Sequence, residues 1–395
     1  MVAHRIVCLS SQRWDDGMWT NKQHIMSRLG REHEVYHVDF GPLDLRQTID
    51  LRSNLGAPER YWFWRPVVEK RGNVNVVTVF APRFVSKRLT HPLNLITEFD
   101  LRVMQVKRFM QERRLDDAIV WVYHPGFGGA PARLPHKLLV YDCVDEYSQF
   151  PDYRDDTQRL MRRERALCRA ADLVFTTSRP LYERKRKLHP EATHLVHNVG
   201  DAPHFKQAMA TDTQVPDDIA AIKGPIIGFI GALSSYKVNL GWLVQLARSR
   251  PDWSLVLIGP VGLSDPSTDV AALQRLPNVH LLGHRDYAQL PAYVKGFQVN
   301  VIPYQLNEYT DYVFPIKFFE LLATGKPLVT SRLPSLVDYA DDVLIADDAA
   351  SFVAQCEKAI SNPEAGRDRR LQLATENDWD SRVAKLMAHV ERTLS

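Results

Sequence analysis

Apolar residues fall along this chain in short runs, separated by polar loops and by stretches with helical spacing. Arg5–Leu9 is an apolar run, followed by the polar loop Ser10–Asp16 and a helical pattern over Thr20–Leu29 that ends at Gly30. His33–Val38 is a second strand candidate. This strand–loop–helix–strand order predicts a parallel α/β sheet. Val74–Val79, Ala118–Tyr123, Leu138–Asp142 and Leu173–Thr176 extend the strand series, with a helix over Arg159–Ala171 between the last two. From 202 to 224 the pattern lapses into polar residues with Pro203 and Pro216. A fresh series then begins. Strands are predicted at Pro225–Ile230, Ser254–Ile258, Val279–Leu282, Val299–Ile302, Leu328–Thr330 and Val343–Ile345. Helices are predicted at Leu240–Arg248, Tyr287–Lys295 and Ile316–Thr324. Ser381–Thr393 is a last amphipathic helix, with Val383, Leu386 and Val390 on one face.

The pattern divides the chain into a first Rossmann-like domain over 1–205, a linker over 206–224, a second Rossmann-like domain over 225–375 and a C-terminal helix over 376–395. A length of 395 residues suits two such domains at about 150 residues each. Ligands of doubly wound sheets bind outside the carboxyl ends of the strands, so functional residues are expected in loops that follow strands.

Composition narrows the class only coarsely. Hydrophobic residues at 45% and charged residues at 25% exclude a mainly disordered or fibrous chain. No run of 18 apolar residues is present, so no transmembrane helix is expected, and the short N-terminal run lacks a signal-peptide cleavage pattern. Cys8, Cys143, Cys168 and Cys356 have no CxxC spacing, which suits free thiols in a reducing cytoplasm. Charge is uneven. Residues 1–200 hold 32 Lys/Arg against 24 Asp/Glu (+8), and residues 201–395 hold 18 against 23 (−5), summing to the net +3. The excess gathers in Lys107–Arg114, Arg159–Arg169 and Arg179–Lys187. Such clusters are either solvated helix faces or an anionic membrane or ligand surface. No helix-turn-helix, RNP or zinc-finger pattern accompanies them, so nucleic acid is not expected. Metalloprotease, serine-hydrolase and Walker motifs are absent, and His194 and His197 lack a third ligand nearby, so no metal site is expected.

The segment Asp311–Thr330 holds the most chemistry. Pro315 suits the first turn of a helix, Gly325 its end, and Pro327 cannot continue it. Lys317 and Glu320, three apart, share a helix face. They are either a surface ion pair, or a carboxylate for two ribose hydroxyls beside a lysine and a helix N-terminus that suit phosphate. Ile227–Lys237 is a strand running into a small-residue loop, in which Gly231 permits close backbone approach. Leu195–Asp201, Tyr141–Glu146 and Asp378–Arg382 are further distinctive segments.

Together these segments resemble retaining GT-B glycosyltransferases of family 4, in particular the bacterial polysaccharide and teichuronic-acid enzymes. Pro315, Lys317, Glu320, Ala323, Gly325, Lys326 and Pro327 match the pattern P-x-K-x-x-E-x-x-A-x-G-K/L-P. The resemblance implies a GT-B fold: two doubly wound domains facing a central cleft, with the C-terminal helix returning to the first domain. It implies transfer of a sugar from a nucleotide-diphosphate sugar, a UDP-sugar by default, to an acceptor hydroxyl with retention. It implies no cofactor and no metal, the donor being a co-substrate. Glu320 is the implied ribose ligand, with Gly231, Lys237, Asn307, Thr310 and Lys317 completing the donor site. Tyr312 stands where many members have a second glutamate, and Ala232 where they have an arginine.

The first domain is expected to supply the acceptor side. In Trp14-Asp-Asp-Gly-Met-Trp19, Trp14 and Trp19 are acceptor candidates because aromatic faces stack on sugars, although both residues equally suit packing on the next helix. Asp16 and Gly17 complete that set. His124, at a strand end before a Gly-rich loop, matches the family's histidine near the reacting sugar, or is structural. Asp145 either orients or deprotonates an acceptor hydroxyl, or caps a turn. The acceptor is a sugar, a lipid-linked sugar or a small molecule, and the first-half charge suggests a cytoplasmic protein held peripherally on an anionic membrane. A nucleotide-sugar 2-epimerase and a non-catalytic partner in a polysaccharide assembly complex are the alternatives.

Overall fold

The computed structural model describes residues 2–10, 12–15, 19–40, 66–79, 98–263 and 265–395. A first sheet comprises β1 (Arg5–Leu9), β2 (Glu34–Phe40), β3 (Val67–Arg71), β4 (Val74–Val79), β5 (Ile119–Val122), β6 (Leu138–Cys143), β7 (Leu173–Thr176) and β8 (Thr193–Leu195). They lie in the order β3-β4-β2-β1-β5-β6-β7-β8. A second sheet comprises β9 (Ile226–Ile230), β10 (Ser254–Ile258), β11 (Val279–Gly283), β12 (Val299–Ile302), β13 (Leu328–Ser331) and β14 (Leu344–Ala346), in the order β11-β10-β9-β12-β13-β14. Among the described residues every ladder is parallel except β3 with β4, an antiparallel edge hairpin turned at Gly72. Parallel strands are covered on both faces and so read as continuous apolar runs. β1, β5, β9 and β10 do so, and the strands expected at β2, β4, β6, β7 and β11–β14 are found as well. β3 reads Val-Val-Glu-Lys-Arg, with the charges exposed; it was not expected, because charge on an edge strand hides the strand period while blocking edge-to-edge pairing.

The helices that matter below are α1 (Asn21–Leu29), α2 (Glu98–Glu112), α3 (Thr157–Ala170), α4 (Arg179–Lys185), α5 (Leu240–Ser249), α6 (Lys317–Leu322), α7 (Ala349–Ser361) and α8 (Trp379–Leu394). Thr20 and Gln23 form a capping box that starts α1. α5 and α7 pack on each other beneath the second sheet, bringing Trp242 and Phe352 rings to 5.5 Å. The stretch 202–224 is short helices and turns that are mostly exposed, yet Ala202, Phe205 and Ile219 lie in the second core.

α8 returns to the first domain as expected. Trp379, Leu386, Met387 and Val390 bury against Ile6, Ile25 and Phe175. The Trp379 ring stacks on His24 at 4.5 Å and 5°. Asp378 caps the helix by accepting from Ser381 N at 2.8 Å. Arg382 is wholly buried: Nη1 donates to Val196 O at 2.8 Å and to His197 O, and Nη2 lies 3.4 Å from the equally buried Asp142 Oδ1. The chain passes out of the first domain near Gly200 and back near Asn377, and these two passages are tied by Gly200 N donating to Asn377 O at 3.2 Å. All four cysteines are buried free thiols. Among the described residues, no helix is long and apolar enough to cross a membrane.

Candidate active site

Each sheet reverses its winding at its centre, at β1/β5 in the first and β9/β12 in the second. Such a reversal splays the loops at the carboxyl ends of the two strands and leaves a crevice. The loops after β1, β5, β9 and β12 therefore contain most of the candidate residues.

The second domain provides one wall. Gly231 ends β9 at φ 152°, and its amide donates to Ile258 O at 2.8 Å. What Gly231 contributes is therefore space rather than a free amide. A Cβ on neighbouring Gly259 would stand 2.0 Å from Gly231 O, so the two glycines abut and keep this floor flat. The stem of Lys317 approaches the same floor, its Cε 3.5 Å from where a Gly231 Cβ would lie. Glu320 follows one turn on, on the same face of α6. It is buried, 4% exposed, and its Oε1 accepts from Tyr287 Oη at 2.8 Å. Burial pushes the Glu320 carboxyl up, Lys317 and the Tyr287 hydroxyl draw it back, and the net direction is upward. Gly200, at the passage between the domains, abuts the Glu320 backbone: a Cβ there would meet Glu320 N at 2.5 Å. α6 is shorter than the helix expected over Ile316–Thr324, so the lysine itself, rather than a long helix dipole, is the local positive charge.

Asn307 and Thr310, expected to contact the donor, are spent on their own loop. Asn307 Oδ1 accepts from the amides of Tyr309 and Thr310, both at 3.0 Å, and Nδ2 donates to Tyr236 O at 2.8 Å. Thr310 is fully buried, its hydroxyl donating to Gln305 O. Tyr312 turns away from Glu320 to the first domain. Its ring lies under Arg184 and its Oη accepts from Arg184 Nη1 at 3.2 Å. Lys237 Nζ lies 4.9 Å from the centroid of the Tyr304 ring. Burial lowers the Lys237 ammonium, Tyr304 and Asp145 raise it, and the net shift is upward.

The first domain provides the other wall. Asp145 follows β6, and burial lifts its carboxyl to about 6 against the opposing pull of Lys22 and Lys237. Asp145 and Lys237 thus sense each other across the cleft. His124 lies two residues beyond β5 and is 1% exposed, with both ring nitrogens engaged: Nδ1 accepts from Gly126 N at 2.9 Å and Nε2 lies 2.9 Å from Tyr153 Oη. Phe99 stacks on the ring at 5.0 Å. Burial, with Lys22 and Arg102 nearby, lowers its pKa to about 3. This His124 is neutral and shapes the β5 loop; it offers no unengaged ring nitrogen. Trp14 is likewise core, its ring against Trp19 and His37 and its amide donating to Asp39. Trp19 remains 46% exposed and so can stack on a ligand. Asp16 and Gly17 lie outside the described residues.

Two residues joined the cleft without having been expected. Lys22 is buried on α1, 6.0 Å from the Tyr123 ring centroid, and its charge reaches both His124 and Asp145. Nothing in the sequence separates it from other first-turn polar residues. Tyr287 had a signal, since it lies in the loop after β11, where the strand-end rule looks for ligands, but the pattern there reads as the start of a helix. The third basic cluster also has another role than surface charge. Lys185 is fully buried between Glu146 at 2.8 Å and Glu164 at 2.7 Å, and Arg179 pairs with Asp338 of the second domain at 3.0 Å.

The second domain resembles known proteins in sequence, and the whole chain resembles them in fold. Residues 224–362 match the family described as Glycosyl transferases group 1. A curated relative is TuaH of Bacillus subtilis (strain 168), which bears the name of a teichuronic acid biosynthesis glycosyltransferase; it is 27% identical over 284 residues, covering 68% of this chain and 71% of the relative. In fold, the chain is similar to a UDP-forming α,α-trehalose-phosphate synthase from Burkholderia xenovorans, with TM-score 0.71, 14% identity and complete coverage of both chains. It is also similar to HepE from Anabaena, solved in complex with UDP, with TM-score 0.69, 14% identity and coverage of 99% and 100%. The whole chain has the GT-B architecture, and the group 1 match over the second domain together with the named relative supports a glycosyltransferase.

Proposed function

We propose that the protein transfers a sugar from a UDP-sugar to an acceptor hydroxyl, with retention of anomeric configuration, in assembly of a glycan or glycoconjugate. The observation that carries this reading is the grouping of Gly231, Lys317 and Glu320 at the β9/β12 reversal: a flat floor, a cation and a buried carboxylate within one turn of helix. A carboxylate with unused lone pairs suits the two hydroxyls of a ribose. The lysine suits the diphosphate, and on this reading Lys317 and Lys237 stabilise the charge that grows on the leaving group. No resident cofactor or metal is assigned a part. UDP is favoured because two of the solved neighbours are named as UDP-forming or UDP-bound, and glycan assembly because of the teichuronic-acid relative. Asp145, titrating near 6, suits acceptance of the acceptor's proton, and exposed Trp19 suits stacking on the acceptor. The test is incubation with UDP-, GDP-, ADP- and TDP-sugars, with and without acceptor glycosides. Release of UDP together with a new glycoside of the donor's anomeric configuration is expected. Conversion of the donor sugar without acceptor would replace transfer by 2-epimerisation.

The same reading places the enzyme at an anionic membrane face, with a lipid-linked acceptor. α2 and α3, bearing the first two basic clusters, flank a groove of about 850 Å³ beside Gly128 and Gly129. Lys107, Arg133 and Arg162 line it next to Met104, which is 64% exposed. Among the described residues no carboxylate pairs with these three cations. Each basic residue near anionic lipid contributes roughly 1 kcal/mol, weakened by salt. Wild-type protein is expected to co-sediment with phosphatidylglycerol vesicles at low salt, and the triple variant K107E/R133E/R162E is expected to stay in solution. Equal sedimentation of the two would remove the groove from the account.

A further inference from the structure

Glu320 sits in a cage that reaches beyond its own helix. One of its two carboxylate oxygens accepts from Tyr287 Oη at 2.8 Å, and among the described residues no other hydrogen bond to the carboxylate is found. A carboxylate has about four acceptor positions, so one is used and the others stay open. Tyr287 is itself held. Its ring stacks on His204 at 4.6 Å and 17°, meets the edge of Phe205 at 5.9 Å and lies 6.5 Å from the His24 ring of the first domain. His204 Nε2 donates back to Tyr287 O at 2.9 Å. The tyrosine therefore has both its main chain and its ring fixed while remaining 37% exposed at the cleft.

We propose that Tyr287 is the positioning residue of the ribose site: its hydroxyl fixes the Glu320 carboxylate in one orientation and leaves the remaining lone pairs to meet the two ribose hydroxyls. This rests on the nucleotide-sugar reading of the cleft. A carboxylate free to rotate within a buried pocket must be ordered each time nucleotide binds; one already held by a tyrosine is ordered beforehand. The same hydrogen bond favours the ionised carboxylate, the form in which both oxygens only accept and do so most strongly. The groups facing Glu320 are Lys317 on its own helix, Tyr287 after β11, and Asp201 and His204 at the passage between the domains. Arg28 of α1 faces Tyr287 from the first domain. Lys317, His204 and the tyrosine hydroxyl favour the charged form; burial and Asp201 oppose it. Removal of the hydroxyl alone tips this balance toward the neutral acid. The Glu320 pKa then rises, and nucleotide binding is lost at a higher pH as the solution is acidified.

The experiment is calorimetric titration of UDP into the wild-type protein and Tyr287→Phe over a pH series from about 5 to about 8. Wild type is expected to bind UDP. Tyr287→Phe is expected to bind about tenfold more weakly at neutral pH, with its acid limb displaced to higher pH. Its KM for the donor is expected to rise while kcat at saturating donor stays near wild type. A merely structural role would lower the ligand-free denaturation midpoint and leave the pH limb in place. His204→Ala keeps the hydroxyl but removes the ring it stacks on, and is expected to move the limb the same way by less. Equal affinity and superimposed limbs for wild type and Tyr287→Phe overturn this inference alone. Tighter binding by Tyr287→Phe also overturns it, because the tyrosine would then compete with ribose. Failure of wild type to bind UDP or any other nucleoside diphosphate overturns both this inference and the donor-site reading.

Discussion

Arg382→Ala is expected to destabilise the protein by about 3–5 kcal/mol, the cost of stripping one partner from a buried ion pair. Arg382 and Asp142 are both fully buried, and the guanidinium also donates to the carbonyls of Val196 and His197. The variant leaves the Asp142 charge without its partner, two backbone carbonyls without a donor, and a cavity under α8. The last helix loses the staple that ties it to the first domain beside the passage between the sheets. Chemical denaturation followed by tryptophan fluorescence measures this, because Trp379 is buried one turn from Arg382. The double variant D142L/R382M replaces the pair with apolar side chains of similar size and is expected to recover most of the loss. A midpoint for Arg382→Ala equal to that of wild type would contradict the buried staple.

Glu320→Ala is expected to weaken nucleotide binding by about a hundredfold or more while the fold persists. Two hydrogen bonds from ribose to a charged carboxylate contribute roughly 1.5–3 kcal/mol each, and each 1.4 kcal/mol is about tenfold. The fold is expected to survive because the change removes a charge that burial already disfavours. The hydroxyl of Tyr287, left behind, reaches water at a partly exposed site. Lys317, half-buried on the same face, loses a favourable neighbour but is not stranded in the core. Calorimetry with UDP and a ligand-free melting curve, measured together, separate loss of the site from loss of structure.

The sheets were legible because parallel strands write largely apolar runs: β1, β5, β7, β9 and β10 are such runs, and β6 and β12 are broken only by the buried Asp142 and Asn300. β3 was not legible because its exposed Glu69, Lys70 and Arg71 obscure an edge position. The return of α8 was legible from its apolar face, and the reason for Asp378-Trp-Asp-Ser-Arg382 emerged only from burial: cap, stacked indole and buried guanidinium. Of the candidate residues, the placement of Lys317 and Glu320 on one face of α6 was legible because helical periodicity alone sets it. Asn307 and Thr310 are engaged by their own loop, because a polar residue in a loop serves the loop's own amides as readily as a ligand. His124 and Trp14 turned inward for a related reason: sequence gives residue type at a strand end, but burial of the ring depends on what packs from elsewhere, here Phe99 and Tyr153 on one and His37 on the other. Tyr287 and Lys22 reached the cleft through tertiary contacts between segments far apart in the chain, which no local pattern encodes.

The proposed nucleotide-diphosphate site of the second domain rests on Glu320 and Lys317. A thermal-shift series with UDP, GDP, ADP and TDP and their sugars, run in parallel on wild type and Glu320→Ala, tests it most directly, since a ligand bound only by the folded state raises the melting temperature by mass action. A concentration-dependent rise is expected for wild type with UDP and UDP-sugars, and no rise for Glu320→Ala at the same concentrations. Equal shifts in the two proteins, or no shift of wild type by any nucleotide, would contradict it.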